Sequence, residues 1–60
     1  MDEWLTGPEV GDWIRTPVET LRYWRSHGLG PRSVKFGRRV VYARADVEQW
    51  IAEVREASAS

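Results

Sequence analysis

Apolar residues fall at helical spacing in three stretches of the chain and alternate in a fourth. Val10, Trp13 and Ile14 stand at i, i+3 and i+4, one face of a helix. Ahead of them Thr6 can cap, Pro8 is tolerated in the first turn, and Glu9 sits three residues on as a capping-box partner. The spacing therefore predicts a short helix over 7–14. Thr16, Pro17 and Glu19 repeat that start at once, with threonine as cap, proline at the first helical position and glutamate at the third. Leu21 and Trp24 form the inner face of this second helix, and Thr20 beside them is small enough to lie under the first. Gly28, after Ser26 and His27, supplies a left-handed cap, so the second helix is expected over 17–27. Two helices separated by a residue or two must turn sharply.

Gly30-Pro31 interrupts the chain. Val34, Phe36, Val40 and Tyr42 then alternate with Ser33, Lys35 and Arg39, the period of a half-buried hairpin. Gly37 provides the positive φ that a tight turn needs. On this reading Val41 departs from the pattern and shares the outer face with Lys35 and Arg39. Val47, Trp50, Ile51 and Val54 mark a closing helix, with Asp46 and Glu48 suited to its N-terminus and only the weak caps Ala43 and Ala45 before it. Residues 1–4 and 57–60 are expected to fray. The expected fold is one domain over 1–60, mainly α with a small β-hairpin, in the order helix, tight turn, helix, hairpin, helix.

A chain of 60 residues hides only about 60% of the surface its unfolded form exposes, so its core is small. Cysteine is absent, which excludes disulfides and thiolate metal sites, and His27 alone cannot hold a metal. The 42% apolar content and the four tryptophans are left to supply the core. No apolar run approaches the ~20 residues that cross a bilayer, and no signal segment opens the chain, so a cytoplasmic protein is expected.

Formal net charge is zero, but the charges are segregated. Asp2, Glu3, Glu9 and Asp12 open the chain, and Asp46, Glu48, Glu53 and Glu56 against Arg55 close it. Between them Arg15, Arg22, Arg25, Arg32, Lys35, Arg38, Arg39 and Arg44 face Glu19 alone. Segregation on this scale is the footprint of a phosphate-binding face. The element order is the plan of a winged helix-turn-helix, in which the second helix enters the major groove of DNA. That helix turns Val18, Glu19, Arg22, Tyr23 and Ser26 outward, with Arg25 counted among its cations. Arg22 suits a base edge or a phosphate equally, because its planar fork fits both. Tyr23 and Ser26 suit phosphate oxygens. Glu19 suits either a cytosine amino group or a capping box that never touches DNA, with the cap favoured. In the wing Lys35, Arg38 and Arg39 surround a flexible glycine, fit to lie along a backbone or to enter a minor groove. Three of the four tryptophans lie on apolar helical stripes and read as core rather than as a stacking platform for single strands. His27 receives no chemical role. Nothing supplies a nucleophile, a phosphate loop or a metal cluster, so no enzyme, cofactor or small-molecule ligand is expected.

From Leu5 to Ile51 the chain resembles the excisionase-type helix-turn-helix domains of the MerR-like superfamily. L-T-G-P-E-V-G-D-W-I at 5–14 resembles the first helix of that family, and T-P-V-E-T-L-R-Y-W-R-S-H-G-L-G-P at 16–31 its recognition helix and exit. V-K-F-G-R-R-V-V-Y at 34–42 resembles its wing, and A-D-V-E-Q-W-I at 45–51 its closing helix. Arg15 replaces a common small residue in the first turn and adds a candidate phosphate contact there; Ala45 replaces a frequent serine. The resemblance implies DNA binding by Arg22, Tyr23, Arg38 and Arg39. It implies a phage or mobile-element recombination directionality factor, which binds attachment-site DNA cooperatively with copies of itself and bends it so that an integrase excises. The long dimerisation helix and effector domain of MerR-type regulators have no counterpart after Val54, which favours the architectural role; a small repressor is the alternative, since the same domain type also serves transcriptional regulators. A protein-binding adaptor with a basic face is a third reading.

Overall fold

The structure is a computed structural model and describes residues 3–59. Its elements are β1 (Trp4–Thr6), α1 (Gly7–Ile14), α2 (Val18–Ser26), β2 (Val34–Phe36), β3 (Arg39–Ala43) and α3 (Arg44–Ser58). Among the described residues this is a small α+β domain of three helices and one antiparallel sheet ordered β1-β3-β2.

The start of α1 follows the expected capping box. Thr6 Oγ1 accepts from the Glu9 amide at 3.3 Å, and Glu9 Oε1 accepts from the Thr6 amide at 2.8 Å. The helix ends on Arg15, which takes a left-handed conformation at φ 55° and ψ 48°. That conformation crowds Cβ against the backbone in any residue but glycine.

The expected threonine cap of α2 does not form. Thr16 turns back, and its hydroxyl donates to the Ile14 carbonyl at 3.2 Å, closing the end of α1. Pro17 takes the cap position instead, with no side-chain cap bond, and its carbonyl accepts from the Thr20 and Leu21 amides. Glu19 is therefore exposed in the first turn and closes no capping box. At the other end Gly28 adopts φ +69° as expected. The Leu29 amide donates to Trp24 O at 2.7 Å and the Gly28 amide to Arg25 O, the paired bonds of a Schellman ending. The helix proper stops at Ser26, one residue early, with His27 as C-cap.

Two expectations about the chain ends change. Residues 3 and 4 are tied down: Trp4–Thr6 pair with β3, and the Arg44 amide donates to Glu3 O at 2.8 Å. The expected hairpin thus gains a third strand, which covers the free edge of β3. Positions 57 and 58 continue α3 rather than fraying, and Ala59 is its C-cap. The same expectation for residues 1, 2 and 60 lies outside the described residues.

Val10, Leu21, Tyr42 and Val47 form the buried cluster, with Leu5, Ile14, Trp24, Val40 and Ile51 packed around it. It joins α1, α2, β3 and α3. The tryptophans do not supply this centre. Trp4 and Trp13 are exposed, and Trp24 and Trp50 are half-buried with ring centroids 5.6 Å apart. So small a core holds one ring, that of Tyr42, among valine and leucine, and Trp24 packs at its edge.

The tight turn between α1 and α2 depends on Gly11. A Cβ at Gly11 would stand 2.6 Å from the Thr16 carbonyl oxygen, a backbone atom that cannot step aside. Gly11→Ala is expected to lower stability by about 1–3 kcal/mol, the usual scale of overpacking. An unchanged thermal melt would show that α1 and α2 cross with space to spare.

The hairpin register corrects the expected faces. Phe36 pairs with Arg39 across the Gly37-Arg38 turn, Lys35 with Val40 and Val34 with Val41. Gly37 has φ +60°, which the first central residue of a type II′ turn requires. Paired residues of an antiparallel sheet share a face, and successive residues alternate. Val40 and Tyr42 therefore face the core with Leu5, and Lys35 lies on that side at the edge strand. Val34 and Phe36 lie on the opposite face with Arg39 and Val41. Lys35 and Arg39 do not share a face, and Val41 is buried on the outer one.

Candidate nucleic-acid interface

The cations separate into two classes. Arg44 is neutralised: its Nη1 lies 3.1 Å from Glu3 Oε1 and its Nε 3.5 Å from Glu48 Oε2. Its guanidinium also sits 5.7 Å from the centre of the Trp13 ring. Hydrogen bonding to Glu3, then the charge of Glu3, raises its pKa above the usual value. Arg44 thus ties α3 to the start of β1 and to α1, and it leaves the basic group to which its position in the sequence assigned it.

Arg15, Arg22, Arg25, Arg32, Lys35, Arg38 and Arg39 form the other class. All are exposed, and among the described residues none is in an ion pair. With Arg44 paired off, the unpaired cations between residues 15 and 39 face Glu19 as the single acidic residue in that span.

The structure brings some of them together and parts others. Arg15, held outward by its left-handed cap, shares a groove between α1 and the start of α2 with Asp12, Pro17 and Val18. Arg22 stands exposed on α2 with Glu19 and Ser26 at helical spacing beside it. Arg25 lies on the flank of α2, where with Arg32 it lines a cleft whose other wall is Asp46, Gln49, Trp50 and Glu53 of α3. Arg38 occupies the hairpin turn, Arg39 the outer sheet face and Lys35 the inner one.

Two side chains on α2 are more constrained than their spacing suggests. Ser26 Oγ donates to the Tyr23 carbonyl at 2.9 Å and lies 3.1 Å from His27 Nδ1, so its proton is committed within the helix. Tyr23, 55% exposed, stacks on His27 with ring centroids 4.1 Å apart. His27 Nδ1 lies 2.8 Å from the Tyr23 carbonyl, which can only accept, so Nδ1 carries the proton in this contact. His27 thus fixes the Tyr23 ring, a role that sequence reasoning missed; the i, i+4 spacing of two rings was its only signal. Also missed was the aromatic pair of Trp4 and Phe36 on the outer sheet face, whose signal was the two-residue length of the turn.

Such an array suits anions spread over a surface. Guanidinium groups bind phosphate oxygens in a bidentate fork, and a tyrosine hydroxyl donates to the same oxygens. Among the described residues no group of three or more His, Cys, Asp or Glu could hold a metal ion, and no helix is long and apolar enough to cross a membrane. No protein-family model, curated protein or solved structure matches the chain.

Proposed function

We propose that this chain is a winged helix-turn-helix module that binds double-stranded DNA, with α2 as recognition helix and the β2–β3 hairpin as wing. The carrying observation is the set of exposed, unpaired cations on the α1–α2 turn, α2 and the hairpin, while the ion pairs of the described residues fall to Arg44. A phosphate lattice supplies the missing counter-charges. The α2 rod buries Leu21 on one side and exposes Arg22 and Tyr23 on the other, as a helix in a ~12 Å groove must.

The resemblance of residues 5–51 to excisionase-type domains supports the narrower role. The chain acts by binding rather than by chemistry, as a directionality factor that lines up with copies of itself on attachment-site DNA and works with an integrase there. A ladder of cooperative shifts in a mobility titration supports that role, and a single shift at a promoter supports a small repressor.

The test is selection of duplexes from a randomised pool, followed by anisotropy titration of the wild type and Arg22→Ala. The variant is expected to lose about 1–3 kcal/mol and to relax preference at one base pair. Equal loss on every duplex would make Arg22 a phosphate clamp. Failure of the wild type to retain any duplex would refute the proposed function.

A further inference from the structure

No helix residue lines the cleft on the outer face of the sheet, and that cleft is not polar. Phe36 is 54% exposed and Trp4 43% exposed. They come from the two edge strands and meet edge to face, with centroids 5.3 Å apart and planes at 87°. With Thr6 and Arg39 they line a shallow cleft floored by Val41. Arg39 is the register partner of Phe36 and shares its face, and Arg38 stands in the turn next to it. The basic tip of the hairpin therefore carries a bare ring, fixed from the side by a second ring.

A second copy is a poor occupant. A two-fold contact through this face would set Arg39 near its own counterpart. The few side chains of the cleft also fall well short of the ~800 Å² per partner that a stable interface buries. A duplex offers what the patch lacks, because the minor groove places apolar sugar and base edges between two rows of phosphates. Arginine is drawn to that groove by its potential, and apolar side chains beside such arginines enter between base steps. A ring already held by its neighbour loses little freedom on insertion.

We propose that Phe36, braced by Trp4, is an apolar wedge that the wing sets against one base step of the minor groove, unstacking it and kinking the duplex. The inference rests on the duplex-binding reading above and assigns the kink to a ring rather than to the cations. It makes the outer sheet face part of the interface, on the opposite side of the wing from Lys35.

The test uses the full chain and a duplex recovered by the selection described above, with 2-aminopurine placed at successive positions and a dye at each end. Wild type is expected to raise 2-aminopurine fluorescence at one step and to shorten the end-to-end distance. Phe36→Ala should bind about tenfold more weakly, the scale of one lost ring–base contact, with both signals gone. Phe36→Leu, still apolar, should keep both. Because Phe36 lies outside the buried cluster, the thermal melt of each variant serves as the control for folding. Undiminished bending and fluorescence in Phe36→Ala would overturn the wedge and leave duplex binding standing, as would a wild-type complex with no fluorescence rise at any step. Absence of duplex binding by the wild type would remove both.

Discussion

Replacing Tyr42 with alanine is expected to remove about 3–5 kcal/mol of stability, the range for emptying a buried aromatic site. Tyr42 is 2% exposed and lies on the central strand, opposite Leu5 in register and in the cluster with Val10, Leu21 and Val47. Its removal opens the cluster between the sheet and residues of α1, α2 and α3. At ~0.05–0.15 kcal/mol per residue, a domain this short holds only about 3–9 kcal/mol in all, so the variant loses most of it. Tyr42→Phe is the informative control. The substitution removes one oxygen and keeps the buried ring. The phenylalanine variant should melt close to wild type in urea followed by circular dichroism. A cooperative alanine variant within about 1 kcal/mol of wild type would place the centre of the core elsewhere.

Duplex affinity is expected to fall about a thousandfold between 50 and 200 mM salt, if six of the seven unpaired cations meet phosphates. Each phosphate neutralised contributes ~0.9 to the slope of log K against log salt, so the double variant Arg38→Ala, Arg39→Ala should flatten it by roughly two units. Arg44→Ala should leave the slope unchanged, because Glu3 and Glu48 already balance that charge. A count of basic residues along the chain predicts the opposite for Arg44, so this variant separates the structural account from the compositional one. A salt-independent affinity would show that phosphates are not the partner.

The elements legible in the sequence are those set by local chemistry. Thr6 and Glu9 are three residues apart and close their box within one turn, and Gly28 ends α2 by its own φ. The Gly37-Arg38 turn belongs with them, but its consequence for the faces does not. Alternation groups Phe36 with Val40, whereas a two-residue turn pairs Phe36 with Arg39 and so turns it to the other side. Register overrides pattern, and the exposed ring follows from that. The strand β1 was illegible because three residues are too few to show a period, and its partner β3 begins more than thirty residues later. Thr16 was misread because two orphan groups compete for its hydroxyl, and the Ile14 carbonyl wins. At the site, the identity of every exposed cation was legible. Which of them are already paired was not, since the Glu3–Arg44 contact spans 41 positions.

The pairing of β1 with the end of β3 has a practical corollary. A label attached at Glu3 or Thr6 would stand next to Trp4 and shade the aromatic cleft. The helix α3 starts next to Glu3 and runs for 15 residues. At 1.5 Å per residue its last turn lies roughly 22 Å along the axis from its first. Labels belong on that last turn, whose residues do not line the cleft.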